Sequence, residues 1–131
     1  MRVQDRGGLD GLNAAEMQRA LKSLRTEFGS IASAIISRDG ILIASDIPGG
    51  VIAETFTIMC ATMMGAASTA HSELRIGQPK MMRVISEKHE MMLVSAGRKM
   101  IIVCVVPIGV NIDQLQARLR EIIESTQQEA V

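Results

Sequence analysis

The chain has 131 residues, 47% of them hydrophobic and 21% charged, which fits one globular domain and excludes a disordered, low-complexity tail. Lys and Arg total 14 and Asp and Glu total 14, so no charge imbalance marks the chain for nucleic acid or for an anionic membrane surface. Phe28 and Phe56 are the only aromatic residues beside 10 methionines, which counts against stacking platforms for single-stranded nucleic acid or sugars.

Residues 1–11 hold charges and glycines but no apolar stretch of signal-peptide length, so a flexible leading segment and a cytoplasmic location are expected. The first helix is expected at Ala14–Phe28, where Met17, Leu21, Leu24 and Phe28 recur at helical spacing. Asn13 suits its cap, with Glu16 reaching back and Leu12 stapling onto Met17, and Gly29 ends it. Ser30–Ser37 and Ile41–Ser45 read as a hairpin around Arg38-Asp39-Gly40, because the tight turn needs positive φ, which Gly adopts freely.

A second helix is expected over Ala53–Leu74. Phe56, Met59, Cys60, Met63, Ala67, Ala70 and Leu74 form its expected core stripe. The other side carries Glu54, Ile58, Ala61, Gly65, Ser68, Thr69 and Ser72, which is small and almost uncharged where a solvated face normally shows Lys and Glu. It fits either a contact surface or a weakly polar exterior. Gly77-Gln78-Pro79 is expected to end this helix.

Three strands follow, at Met81–Glu87, Met91–Ala96 and Met100–Val106, joined by the short polar loops Lys88–Glu90 and Gly97–Lys99. The last strand is apolar throughout and belongs near the sheet centre. Asn111 then caps a third helix, with Gln114 at its third position, Val110 stapling onto Leu115, and Ile112, Leu115, Leu119, Ile122 and Ile123 as its buried stripe. Residues 12–125 make the expected domain, and Thr126–Val131 a polar, frayed tail. No apolar run approaches the ~20 residues that cross a bilayer, so no membrane insertion is expected.

Catalytic patterns fail one by one. The glycines at 7, 8 and 11 precede no strand and lack a Gly-Lys-Ser/Thr ending. His71 and Glu73 resemble half of a zinc deaminase signature whose cysteine half is missing, and His89 reads as a solvated loop residue. Turn chemistry accounts for Asp39, so its pairing with Asp46 is no acid and base couple; Cys60 and Cys104 read as reduced core residues. No serine sits in a nucleophile elbow. The expectation is a protein that is not an enzyme and needs no cofactor or metal. The methionine doublets at 63–64, 81–82 and 91–92 suit a contact surface and core filling equally.

The element order, the segment Ser37-Arg38-Asp39-Gly40-Ile41-Leu42-Ile43-Ala44-Ser45-Asp46, the small-residue helix Ala61–Leu74 and the opening Gly109-Val110-Asn111-Ile112 resemble the Roadblock family of dynein light-chain roadblock and MglB-like proteins. The resemblance covers Leu12–Ile123. Profilin-like and longin-like folds share parts of this layout. The resemblance implies an α+β single-domain sandwich of order α-β-β-α-β-β-β-α. Its five-stranded antiparallel sheet would carry helices 1 and 3 on one face and helix 2 on the other.

It further implies a homodimer, or a heterodimer with a roadblock-like paralogue, in which the third strand pairs with its mate. Met81, Met82, Arg83, Val84, Ile85 and Ser86, with Ala61, Gly65 and Ser68 of the second helix, would form that interface. Pairing would also satisfy an open strand edge that otherwise invites aggregation, and a proline at Val84 is expected to weaken it. In the family such dimers are platforms for Ras-like small GTPases, some accelerating GTP hydrolysis and others only scaffolding larger complexes. Glu54, Ile58, Ala61, Thr62, Gly65 and Thr69 are the expected contact residues for such a partner. The alternative is a self-associating structural or sensory domain without a GTPase, holding an apolar ligand between helix and sheet.

Overall fold

The computed structural model describes residues 14–129, and side chains through residue 125. The expected cap and staple at Asn13 and Leu12, and the glycines at 7, 8 and 11, lie outside the described residues. Three helices and five strands follow in the order α1 (Ala14–Phe28), β1 (Ala32–Ser37), β2 (Leu42–Asp46), α2 (Ala53–Leu74), β3 (Met81–Ile85), β4 (His89–Ala96), β5 (Met100–Pro107) and α3 (Ile112–Glu129). Both of the first two helices have the bounds expected from sequence. The backbone of α3 stays helical to Glu129, so the first four residues of the expected tail continue the helix instead.

All strand pairs are antiparallel, in the spatial order β2-β1-β5-β4-β3, which leaves β2 and β3 at the two edges. Alternation along β5 explains the two-layered core. Ile102, Cys104 and Val106 pack with Leu21 and Leu24 of α1 and Leu115, Leu119 and Ile122 of α3. Ile101 and Val103 point the other way, into a cluster with Cys60, Ala61 and Met64 of α2. A strand buried on both faces reads as a continuous apolar run, as Met100–Val106 does.

Local chemistry sets the joints. Gly29, at φ +72°, ends α1 with its N–H on the Arg25 carbonyl at 3.0 Å, the left-handed helix stop that Gly accepts without strain. Arg38-Asp39-Gly40 turns the β1–β2 hairpin, and the Asn111 side chain accepts the Gln114 N–H at 3.0 Å to cap α3. Arg25 pairs with the Asp46 carboxylate, holding α1 to edge strand β2, and Arg118 of α3 reaches Glu27 and Ser23 of α1, each at 3.1 Å.

Three expectations need correction. The helix α2 ends at Leu74 as expected, but its left-handed stop is Arg75 and not the Gly77-Gln78-Pro79 segment: Arg75 takes φ +56°, and the N–H groups of Arg75 and Ile76 bond the Ser72 and His71 carbonyls at 3.1 and 3.2 Å. The β3–β4 connection is Ser86–Lys88, not Lys88–Glu90. Here β3 ends at Ile85, and His89 and Glu90 are strand residues, the buried Glu90 carboxylate being matched by Arg83 across the pair. The helix α2 is also rotated about its axis, burying Thr57, Cys60, Ala61 and Met64.

Candidate functional site

The edge strand β3 pairs with β4 on one side only, with Met81 opposite Val94 and Ile85 opposite Glu90. At either end of this ladder, the Ser86 N–H bonds the His89 carbonyl at 2.9 Å and the Ser95 N–H bonds the Lys80 carbonyl at 3.0 Å. Antiparallel pairs alternate between hydrogen-bonded and non-hydrogen-bonded positions, so Met82 and Val84 turn their backbone groups inward to β4. Met81, Arg83 and Ile85 turn theirs outward. The open edge therefore presents alternate N–H and C=O groups, beside exposed Val84 and Ile85, 42% and 62% accessible. Because the Val84 N–H faces β4, a proline there acts on the fold first. Ile85 is the position where proline removes an outward donor alone.

The Arg83 guanidinium makes a two-pronged contact with Glu90, one prong being the Nη2 to Oε1 bond at 3.1 Å. Glu90 is only 4% accessible, and its hydrogen bond to Arg83 holds the guanidinium pKa above its ordinary value. The pair neutralises the middle of the edge. Apart from this pair the strand is apolar, with Met81 packed toward the α1/α3 layer and Met82 toward α2.

On the adjoining layer, α2 is rotated from its expected setting. Thr57, Cys60, Ala61 and Met64 are buried against the sheet, with Phe56 and Met63 flanking them. Met59, Ala70 and Leu74, expected in the core, are exposed. Ala61, expected on the contact face, is 9% accessible and belongs to the core cluster, and Ser68 is half-buried. Only a small side chain at position 61 lets the helix settle onto the β-branched surface of Ile101 and Val103.

Glu54, Ile58, Thr62, Gly65 and Thr69 do share an exposed flank, and a Cβ at Gly65 would meet nothing beyond its own helix within 4 Å. Met59, Ala66 and Ala70 extend that flank. The outward surface of α2 is thus weakly polar and broader than the sequence pattern implied; Met59 and Leu74 were hidden because an apolar residue on an apolar helix reads as core.

Burial pushes the Cys60 thiol up to about 11, and burial does the same for Cys104, whose Sγ donates to Ser30 Oγ at 3.6 Å. Neither is a ready nucleophile. His71 donates Nδ1–H to the Ala67 carbonyl at 2.9 Å within its own helix. Asp46 is engaged by Arg25, away from the Asp39 turn. Among the described residues no three His, Cys, Asp or Glu side chains gather to hold a metal ion, and no helix is long and apolar enough to cross a membrane.

An antiparallel sheet between a layer of two helices and a layer of one, with one edge strand open, defines an α+β sandwich. The Roadblock/LC7 domain profile matches residues 17–106. Two uncharacterized proteins of Methanocaldococcus jannaschii are each 30% identical over 87 residues, spanning 66% of this chain and 76% of theirs. A solved MglB with a tetrameric arrangement superposes with a TM-score of 0.80 at 17% identity, covering 93% of both chains. Myxococcus xanthus MglB gives 0.78 at 10% identity, covering 84% of this chain and 90% of its own. The chain belongs to the Roadblock/LC7 family, a family of regulators and adaptors.

Proposed function

We propose that this protein is a non-enzymatic dimeric adaptor that pairs through β3 with a second copy or a paralogue and offers the exposed flank of α2 to a Ras-like small GTPase. The observation that carries the reading is that an open β3 edge and an almost uncharged exposed surface on α2 occur in one chain, where a solvated helix face would carry charge. Pairing two copies of β3 satisfies the outward backbone groups of Met81, Arg83 and Ile85 and makes one sheet of the two. The partner site then comprises Glu54, Ile58, Thr62, Gly65 and Thr69, with Met59 added. Regulation runs through binding, since the described residues offer no catalytic constellation of their own.

Gly65→Arg tests the helix. A Cβ at Gly65 meets nothing beyond its own helix within 4 Å, and replacing Gly in a helix interior improves helix propensity by up to about 1 kcal/mol, so the variant is expected to fold, with its melting temperature as the control. Immobilised parent protein should retain a small GTPase from native lysate in a manner that depends on whether GDP or a non-hydrolysable GTP analogue is present. The Gly65→Arg protein should lose that retention. Equal retention by both proteins removes α2 from the account, and retention of no GTPase in either nucleotide state removes the GTPase.

A further inference from the structure

A cavity of about 730 Å³ opens at the corner of the sheet where β3 begins. Four cations from four separate segments line it: Arg38 from the β1–β2 turn, Lys80 before β3, Arg98 from the β4–β5 turn and Arg120 from α3. No Asp or Glu lines it, and none of the four forms an ion pair among the described residues. The carboxylate next in sequence, Asp39, is not part of the wall. With no carboxylate in the wall, a bound anion meets only positive charge there.

The corner is also pre-organised. Arg38 donates to Ser95 Oγ at 2.9 Å, Ser95 donates on to the Pro79 carbonyl at 2.9 Å, and the Arg38 N–H bonds the Lys99 carbonyl at 2.9 Å. The Arg38 guanidinium is therefore held by Ser95 and its backbone by Lys99, which lowers the entropic cost of ordering it on binding. Ser68, in the opposite wall, has a buried Oγ with no hydrogen-bond partner. Ile101, on the α2 side of the sheet, and Ile123, on the α3 side, add apolar lining. The volume falls within the range of small-molecule sites, which pair an apolar lining with a few placed polar groups.

We propose that this cavity binds a small polyanion, a molecule carrying two or more phosphate or carboxylate groups on a compact body, with Arg38, Arg98 and Arg120 as its anion contacts and Ser68 as an added donor. Guanidinium groups suit both oxyanions because their paired N–H groups match two oxygens at once. Of the proposed partner surface the cavity wall shares only Gly65, and its anion contacts lie on the β1–β2 turn, the β4–β5 turn and α3, so either reading can fail alone.

Calorimetric titration of the intact protein with inorganic pyrophosphate and, separately, with citrate distinguishes the two chemistries. Saturable binding of at least one probe is expected at one site per chain, weakening as salt rises. Charge-assisted hydrogen bonds of this kind are each worth about tenfold or more in affinity. Arg98→Gln and Arg120→Gln should each weaken binding by that factor, while Arg19→Gln on exposed α1 should not. Arg120 makes no hydrogen bond among the described residues, so its variant keeps the fold. Absence of saturable binding by both probes at millimolar concentration overturns the proposal, as does binding that survives Arg98→Gln and Arg120→Gln unchanged.

Discussion

Replacing Ile85 by proline should break the dimer and spare the fold. Ile85 lies at the end of β3 with its side chain exposed and its N–H turned away from β4, so proline removes no bond of the chain's own ladder. Its predecessor, Val84, is already extended, as a residue before proline must be. In a two-fold pairing centred on Arg83, Ile85 faces Met81 of the second copy, and the substitution deletes one bond from each chain. Two net hydrogen bonds amount to about 1–3 kcal/mol, which raises the dimer dissociation constant by roughly five- to 150-fold. Sedimentation over a range of concentrations reads this directly, with thermal melting of the same samples as the control. Val84→Pro should do the reverse and melt early, because it removes an inward bond to β4. Self-association of Ile85→Pro as tight as the parent's, or an equal cost of the two prolines to the fold, refutes the pairing of β3.

Other outcomes follow from single residues. Arg75→Gly should raise stability by about 1 kcal/mol, or about 3–5 °C in melting temperature, because a side chain in the left-handed region carries strain that Gly lacks; an unchanged melting temperature refutes that cost. Arg83→Ala should lower the melting temperature by stranding the buried Glu90 carboxylate, and adding Glu90→Gln should recover most of the loss; no recovery contradicts the pairing. Cys60 and Cys104 should alkylate about 100-fold more slowly at pH 8 in the folded protein than in denaturant, since their thiols ionise near 11 instead of the ordinary 9.0. Folded thiols hold their protons where unfolded ones release them, so stability is full below pH 9 and falls as pH rises toward 11; melting that is flat across this window contradicts the burial.

Where side chains alone set the element, the sequence was legible. The stripe Met17, Leu21, Leu24, Phe28 placed α1, the Asp39-Gly40 turn placed the first hairpin, and the unbroken run Met100–Val106 placed the central strand. The setting of α2 was not legible because apolar or small residues occupy most of its circumference, leaving periodicity without a polar face to define the inner one. The sheet decided instead, by accepting Ala61 and Met64 between its own side chains. The start of β4 was hidden because Glu90 reads as loop until its cross-strand Arg83 is known. Nothing local joined Arg38, Lys80, Arg98 and Arg120, since 82 positions separate the first from the last and only the topology gathers them.

The pairing of β3 with a second copy is tested most directly by amide hydrogen exchange along that strand at rising protein concentration. The amides of Met82 and Val84, bonded inward to β4, should be protected throughout. Those of Met81, Arg83 and Ile85 should exchange freely when the protein is dilute and become protected as it is concentrated. If these three outward amides stay unprotected at the highest concentration while the inward two remain protected, β3 is not the dimer edge.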